Sequence, residues 1–315
     1  MRNNLDNNWV SLHIFFNGDI YSTKADRVLK DIVQPFVELS KTNGWIAKYF
    51  FIRYNELGPH LRLRLQLKKE DCFNQLLEKF NELIADNYPE DLKPVIKNKD
   101  GSVEKYLLIN YEPEIERYGG MEGIGVAEEF FFHSSEFCVT QVKELNSDDT
   151  SFRFGKGLIG MIALLKVFVD DKASAGNTMA YYRSGYLKAF AKEEFKDEWL
   201  KMFDSGFEKQ SNQLIEYIQQ IWDALDDIES LPESLLNYAV NLRSIKEKLL
   251  ELCLNGKIVV HGKVIEHWNE ITASILPSYI HMHNNRLGIS IRDESYLAHL
   301  IHNGLIQTGV LQNEQ

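Results

Sequence analysis

Hydrophobic positions in the first third of the chain predict four strands and two helices. Runs rich in β-branched and aromatic residues, or alternating between apolar and polar residues, are typical of strands, and they cover 9–16, 44–54, 60–67 and the start of 103–120. Two segments with apolar residues three or four positions apart are typical of amphipathic helices, at 24–42 and 70–87. The order strand, helix, strand, strand, helix, strand predicts a ferredoxin-like (βαββαβ) antiparallel sheet.

From about residue 121 onward the pattern becomes helical. Apolar residues recur at i, i+3 and i+4 in four long segments, which begin at residues 121, 154, 194 and 232. Residues 256–266 predict a small hairpin, and helices are expected around 278–287 and from about 293. We therefore predict an α+β protein. Its N-terminal sheet lobe, residues 1–120, packs on a larger helical lobe, residues 121–315, as one catalytic unit.

The strand at 60–67 carries positive charge on its polar side. Three leucines alternate there with His60, Arg62 and Arg64, and Arg53 lies on the preceding strand. Residues two apart on a strand project from the same face about 6–7 Å apart. Because arginine keeps its proton, two such guanidiniums repel each other unless anions compensate them. The compensating groups are either acidic neighbours on an outer sheet face or an anionic ligand.

The segment YEPEIERYGG, residues 111–120, places charged residues beside a Gly-Gly turn. It contains Glu112, Glu114, Glu116 and Arg117. Functional groups often lie on loops that a rigid scaffold positions, although the same charges are also typical of a solvated surface loop. The segment is therefore a candidate for part of a site.

The segment SYIHMHNNRLGIS, residues 278–290, contains the third cluster. His281 and His283 are two positions apart, so they do not share a helix face and have poor spacing for a zinc site. His281 and Asn285 do share a face, which suits an imidazole general acid or base held by an amide. A half-buried structural histidine is the alternative.

Composition argues against a broad surface for anionic partners. The chain has 35 Lys and Arg against 46 Asp and Glu, which gives a net charge of −11. A large nucleic-acid or anionic-membrane surface would need a basic excess. The widely spaced Cys72, Cys138 and Cys253 favour free thiols in a reducing compartment. Since no apolar run reaches the ~20 residues of a membrane span, we expect a cytoplasmic protein.

Taken together and in this order, the three motifs resemble the C-terminal, SpaB_C-type region of lantibiotic dehydratases. The same region also occurs as a free-standing thiopeptide-type bacteriocin biosynthesis protein. The resemblance extends from Trp9 to the end of the chain. It rests on W–FFIRY–GPHLRLRL, then YEPEIERYGG followed by AEEFF and SS, then IHMHNNRL followed by E.

The resemblance implies the second stage of peptide dehydration. In this family a large domain esterifies Ser or Thr of a precursor peptide using glutamyl-tRNA, and a smaller domain then expels glutamate to leave dehydroalanine or dehydrobutyrine. This chain resembles only the smaller domain. The elimination residues that the family motifs imply here are Arg62, Arg64, Glu114, Arg117 and His281. Residues in the same motifs predicted to bind substrate are Arg53, His60, Tyr118, Asn285 and Arg286.

The chemistry of the reaction agrees with these residue types. Elimination removes an α-proton and releases a carboxylate, so guanidiniums can stabilise the developing negative charge and an imidazole can move the proton. No cofactor or metal is implied. The expected partners are the precursor peptide and a separate glutamylation protein that contacts the tRNA, without direct nucleic-acid binding by this chain.

Two other functions stay open at this point. A thiopeptide pyridine synthase joins two dehydroalanines by formal [4+2] cycloaddition and resembles the same region, but that class does not keep the full arginine set. A non-catalytic subunit that grips the peptide or the glutamylating partner is the other alternative. The oligomeric state is also open, with a homodimer among the alternatives.

Overall fold

A computed structural model describes residues 8–94, 105–145 and 150–312. The chain divides into two compact units. Unit 1 contains Met1–Glu114, Phe131–Asp149 and Asn285–Gly288. Unit 2 contains Ile115–Phe130, Thr150–Asn284 and Ile289–Gln315. The predicted lobes, divided once after residue 120, stay a prediction, and they differ from these units because two later segments belong with the sheet.

Unit 1 is built around a four-stranded antiparallel sheet in the order β2-β3-β1-β4. Its strands are β1 (Trp9–Phe15), β2 (Ile46–Asn55), β3 (Pro59–Leu67) and β4 (Tyr106–Leu108). Its helices are α1 (Thr23–Val28), α2 (Gln34–Thr42), α3 (Cys72–Asn87) and the later half of α4 (Gly120–Glu144). A π-helical turn, Leu29–Val33, joins α1 to α2. The strand predicted at the start of 103–120 is only three residues long, and residues 103–104 lie outside the described part.

The core of unit 1 follows the alternation seen in the sequence. The leucines of β3 at positions 61, 63 and 65 are fully buried, while the arginines between them are only partly covered. Phe36 of α2 packs against Phe80 of α3 with ring centroids 4.8 Å apart. Phe131 of α4 packs on Phe50 of β2 with centroids 5.2 Å apart. Apolar packing therefore assigns the later half of α4 to the sheet unit.

Unit 2 is helical and begins with the first half of α4. Its further helices are α5 (Thr150–Phe168), α6 (Lys172–Phe190), α7 (Glu193–Glu208), α8 (Ser211–Ala224), α9 (Glu233–Leu254), α10 (Trp268–Ser274), α11 (Leu276–Leu287) and α12 (Ile291–Gln312). The last residues of α11 belong to unit 1. The predicted hairpin within 256–266 is present as β5 (Val259–Val260) and β6 (Lys263–Val264). The chain is therefore a helix-dominated α+β protein with a small antiparallel sheet, as predicted.

Close helix packing in unit 2 centres on α12, which lies against α6 and α8. On α5, Gly160 permits another close approach, because a Cβ there would overlap the imidazole of His283. The segment predicted as one long helix from residue 194 is divided into α7 and α8. No helix in the described ranges is long and apolar enough to cross a membrane.

Candidate functional site

The polar side of β3 in unit 1 carries the first candidate group. We call it the arginine face and define it by His60, Arg62 and Arg64. Strand β3 lies between β1 and β2, so that His13 of β1 stands opposite Arg62 and Phe50 of β2 stands opposite Arg64. The sheet register therefore brings the two predicted arginines and His60 onto one surface, with aromatic and imidazole rings on the neighbouring strands.

Arg62 is contacted on three sides. Its guanidinium carbon lies 3.5 Å from the centroid of the Tyr54 ring. Its Nε donates to His60 Nε2 at 3.1 Å, and its Nη2 donates to Glu56 Oε2 at 2.8 Å. An acidic neighbour therefore does compensate this arginine, which is one of the two solutions that the sequence left open.

Arg64 lies between two aromatic rings. Its guanidinium carbon is 5.3 Å from the centroid of Phe50 and 4.8 Å from that of Tyr111. Aromatic faces attract a guanidinium through the ring quadrupole, so they orient Arg64 on the sheet. Tyr111 belongs to the segment after β4, and this segment continues to Glu114, whose side chain is exposed.

Two imidazoles lie stacked beside the arginines. The rings of His13 and His60 have centroids 4.9 Å apart and are inclined by 19°. Burial, with the positive charges of His60, Arg62 and Arg64 adding, lowers the pKa of His13 to about 3. Burial also lowers the pKa of His60, although its hydrogen bond to the Gly58 carbonyl opposes the shift. Both rings are therefore neutral near neutral pH.

Three predicted substrate-binding residues form a hydrogen-bonded network in unit 1, in which Arg53 and Arg286 are buried and Asn285 is partly exposed. Arg53 is 1% exposed and pairs with Asp26 at 2.6 Å. The Arg53 backbone exchanges hydrogen bonds with the side-chain amide of Asn285 at 2.8 and 2.9 Å. Arg286 is fully buried and donates to Ser135 Oγ at 3.1 Å. Arg53 and Arg286 are thus held in internal contacts, and Asn285 is bonded to the Arg53 backbone, so a role of these three residues in substrate binding stays a prediction.

The second candidate group lies in unit 2 and is centred on His281 of α11. Its Nδ1 is 2.9 Å from Oε1 and 3.2 Å from Oε2 of Glu294, in the first turn of α12. The Glu294 side chain is 0% exposed, whereas that of His281 is 22% exposed. A partly accessible imidazole oriented by a buried third group is typical of a general base. The partner is thus a carboxylate and not the expected amide of Asn285.

Glu294 is the most strongly desolvated group of this cluster. Burial raises the pKa of its carboxyl, while the charge of His281 and the polar side chains of Tyr182 and Asn284 oppose that shift. A buried carboxylate is stable only where such partners compensate its lost hydration. We therefore treat His281 and Glu294 as one functional pair.

Arg117 also belongs to the group around α11. Its Nε donates to Ser278 Oγ at 2.9 Å, and Ser278 lies one helical turn before His281. The Arg117 guanidinium carbon is 5.5 Å from the ring centroid of Tyr118. Tyr118 is buried, at 2% exposed. The structure thus associates the predicted Arg117 and His281 with the same helix, while Tyr118 supports Arg117 from below the surface.

Two tyrosines of α6 complete the surroundings of His281. The rings of Tyr186 and His281 have centroids 5.4 Å apart, and Tyr182 stacks on Tyr186 at 4.4 Å. Burial and the charge of Glu294 raise the pKa of Tyr186, and the positive charge of Arg117 opposes the shift. The other histidine of the motif, His283, is fully buried and bonds the Tyr238 hydroxyl at 3.0 Å.

Glu294, Ser278 and Tyr186 were missed as candidates in the sequence. For Glu294 a signal was present, because the motif that resembles the dehydratase family ends in a glutamate after IHMHNNRL. The predicted residues are divided between the units, with Arg62, Arg64, His60 and Glu114 in unit 1 and Arg117, Tyr118 and His281 in unit 2. Their predicted roles stay predictions. No group of three or more potential metal ligands occurs among the described residues.

Comparison with known families decides the class of protein. Residues 9–305 match the family model described as lantibiotic biosynthesis dehydratase C-term. The chain belongs to this family. It is 24% identical over 304 residues to the epidermin biosynthesis protein EpiB of Staphylococcus epidermidis, covering 94% of this chain and 25% of EpiB. It is 25% identical over 297 residues to the nisin biosynthesis protein NisB of Lactococcus lactis subsp. lactis, covering 92% of this chain and 24% of NisB.

The family fold is also found in solved structures. TsrL aligns with a TM-score of 0.73 at 16% identity, covering 96% of this chain and 95% of TsrL. TbtD, a pyridine synthase from thiomuracin biosynthesis, aligns with a TM-score of 0.67 at 13% identity, covering 96% of this chain and 99% of TbtD. The tRNA-dependent lantibiotic dehydratase MibB from Microbispora sp. 107891 aligns with a TM-score of 0.59 at 19% identity, covering 100% of this chain and 29% of MibB.

These similarities have two consequences. The chain spans about a quarter of the length of the curated relatives EpiB and NisB. The similarity to the solved structures, all below 20% identity, establishes the fold alone.

Proposed function

We propose that this member of the lantibiotic biosynthesis dehydratase C-term family eliminates glutamate from glutamylated Ser or Thr of a precursor peptide. The products are dehydroalanine and dehydrobutyrine. The observation that carries the proposal is the contact of His281 Nδ1 with the buried Glu294 carboxylate at 2.9 Å. That contact leaves Nε2 of a partly exposed imidazole as the nitrogen available for chemistry.

In the proposed reaction His281 is the general base. Its Nε2 takes the α-proton, the electron pair of the broken C–H bond forms the Cα–Cβ double bond, and the Cβ–O bond breaks to release glutamate as a carboxylate. Glu294 holds the Nδ1–H tautomer and stabilises the imidazolium that forms, in the manner of the third member of a catalytic triad. The chemistry requires no metal and no redox cofactor.

In the proposed reaction the arginines stabilise the negative charge that develops. Charge builds on the enolate-like peptide carbonyl and on the departing glutamate, which also carries a side-chain carboxylate. Guanidiniums bind carboxylates through strong, directional hydrogen bonds, so we assign Arg62, Arg64 and Arg117 to these charges. His60 supports Arg62 through their 3.1 Å hydrogen bond. Glu114 is included on the family resemblance alone.

The proposal extends to partners and classification. A separate glutamylation protein supplies the esterified precursor peptide, and both proteins work in the cytoplasm, where aminoacyl-tRNA is made. The homodimer stays one alternative for the oligomeric state. We also propose to class the unit 1 sheet as ferredoxin-like, a choice supported by its antiparallel order β2-β3-β1-β4.

A pyridine synthase is the second candidate, favoured by one specific observation. The pyridine synthase TbtD has the same fold, with a TM-score of 0.67 over 96% of this chain. Against this candidate stands the pairing of His281 with Glu294, which suits abstraction of a proton. A cycloaddition of two dehydroalanines needs no base of this kind at its bond-forming step.

The deciding experiment offers the purified protein two substrates. The first is a peptide carrying a glutamyl ester on Ser, and the second is a peptide carrying two dehydroalanines. Mass spectrometry should show loss of glutamic acid from the first peptide and no change in the second. Turnover of the second peptide alone would assign the protein to the pyridine synthases. Binding of either peptide without turnover would support the non-catalytic subunit.

A further inference from the structure

Arg62 already has a carboxylate partner, although the proposed function requires it to receive the carboxylate of glutamate. The partner is Glu56, in the three-residue turn between β2 and β3. Its Oε2 lies 2.8 Å from Arg62 Nη2. A glutamyl group bound at Arg62 would present the same functional group as this side chain. The two carboxylates therefore compete for one cation.

The hydrogen bonds of the guanidinium show where exchange can occur. Nε is held by His60 Nε2 at 3.1 Å, and His60 Nδ1 in turn donates to the Gly58 carbonyl at 2.9 Å. The guanidinium plane is held from one face by Tyr54 at 3.5 Å. These contacts fix the position of the group but do not involve Nη1. An incoming carboxylate can therefore bind the Nη1–Nη2 end, provided that Glu56 leaves Nη2.

Burial indicates which partner moves. The Arg62 side chain is 16% exposed, whereas that of Glu56 is 66% exposed. An ion pair with so exposed a carboxylate contributes little to stability, because water and salt replace the partner readily. The buried pair of Arg53 and Asp26 in the same unit, at 0% and 3% exposed, has no such freedom. Of the two arginine pairs, only that of Arg62 suits exchange of its anion.

We propose that Glu56 is an exchangeable internal counter-ion, which occupies Arg62 until the carboxylate of the glutamyl group displaces it and which returns to Arg62 as glutamate leaves. This inference rests on the proposed function. It assigns Glu56 a role in substrate affinity and product release, with no part in the chemical step. In the empty protein the same contact compensates Arg62, which lies on the same face as Arg64.

The state of His60 supports this arrangement. As an acceptor from Arg62 Nε, its Nε2 must be unprotonated, and burial lowers the pKa of His60. Facing it are the neutral His13 ring from β1, the Tyr54 ring from β2 and the guanidinium of Arg62. His60 therefore keeps Arg62 in position while the anion on Nη2 changes.

The test compares Glu56→Gln with wild-type protein by calorimetric titration with free L-glutamate. Removing the internal competitor should lower the Kd for glutamate about two- to fivefold, in line with the small contribution of an exposed ion pair. The difference should shrink as salt is raised, because salt screens exposed charges. In steady-state assays the same variant should show a lower KM and stronger inhibition by added glutamate. The single-turnover rate constant at saturating peptide, which reports the chemical step, should equal that of the wild type.

Glu82→Gln is the matched control, since Glu82 forms an exposed pair with Lys79 of the same helix in unit 1 and the net-charge change is identical. It should bind glutamate as the wild type does. Glu56→Ala repeats the test without the amide. The inference is overturned if Glu56→Gln binds glutamate no more tightly than Glu82→Gln, or if neither binds it. Tighter binding without any elimination would preserve the inference at Arg62 and refute the proposed function.

Discussion

The arginine face of unit 1 and the histidine–glutamate pair of unit 2 use carboxylates in opposite ways. Arg62 is compensated by Glu56, whose side chain is 66% exposed. His281 is oriented by Glu294, whose side chain is 0% exposed. An exposed partner is easily replaced, whereas removal of a buried one leaves a charge or a hydrogen-bonding group uncompensated. The contrast indicates one group suited to exchanging anions and another suited to holding one orientation.

A second contrast lies within unit 1. The sequence presents Arg53, Arg62 and Arg64 as one cationic cluster, but the structure separates them by burial. Arg53 is 1% exposed and fully engaged with Asp26, Ile20 and Arg286. The Arg53 guanidinium is therefore held in internal contacts, whereas the two arginines of β3 lie on a partly exposed face. Substitutions on the two sides of each contrast should accordingly affect different measurements.

The largest effect is expected for His281→Ala. Without the general base the rate of glutamate elimination should fall at least about 100-fold, while the affinity for the glutamylated peptide changes little. Single-turnover mass spectrometry measures the rate, and fluorescence anisotropy of a labelled peptide measures binding. The exposed His267 provides the control His267→Ala, which should eliminate normally. Elimination by His281→Ala at the wild-type rate would remove the basis of the proposed mechanism.

Asp26→Asn tests whether the buried arginine pair of unit 1 contributes more to stability than an exposed pair. It leaves Arg53 buried without its carboxylate, so the free energy of unfolding should fall by about 3–5 kcal/mol. Urea denaturation followed by circular dichroism measures this change. The control Asp91→Asn removes the exposed partner of Arg27, at 58% and 43% exposed, and should lower the free energy of unfolding far less, because solvent already screens this pair. Similar losses for both variants would contradict the distinction between buried and exposed arginine pairs.

Glu294→Gln tests whether the buried carboxylate acts through His281. Replacing the carboxylate that orients a general-base imidazole lowers the rate because the wrong tautomer becomes populated, by up to about 10⁴-fold in a catalytic triad. The variant should therefore eliminate glutamate at least about tenfold more slowly than wild type. Nitrogen-15 NMR of the His281 ring measures the tautomer of the imidazole, which would not change if Glu294 had a purely structural role. The spectrum should show a fixed Nδ1–H tautomer in the wild type and mixed tautomers in the variant. An unchanged tautomer would contradict the positioning role.

The pattern of hydrophobic residues predicted much of the fold, and the exceptions have physical reasons. Alternation on β3 was correct because its leucines face the core of unit 1. Helix α6 was missed, since its sequence KASAGNTMAYYRSGYLKAF mixes small and polar residues without a clear apolar stripe. Packing against α12 supports that helix in the folded protein. Tertiary contacts of this kind have no signature in the local pattern.

For the candidate site, the sequence indicated residue types better than partners. Arg62, Arg64, Arg117 and His281 were identified from motifs, but the partner expected for His281 was the amide of Asn285. Helical spacing places both on one face, yet it says nothing about a residue on the following helix. Glu294 reaches His281 from the first turn of α12, a contact that helical spacing within α11 does not reveal. Likewise, the sequence could not show that Arg53 is buried and Arg62 is not.

The smallest expected effect concerns the pH dependence of stability through His13. Its pKa is about 3 in the folded protein because of burial and the charges of His60, Arg62 and Arg64, against about 6.5 when unfolded. Between these values the unfolded state binds one more proton, so stability falls as pH falls from about 6.5, by at most about 1.4 kcal/mol per pH unit. His13→Phe preserves a stacked ring and cannot protonate, so urea denaturation at pH 7 and pH 5 should show a smaller loss than in wild type. Since His60 also resists protonation, part of the acid sensitivity should persist in the variant. Equal losses in both proteins would contradict the lowered pKa of His13 in the folded state.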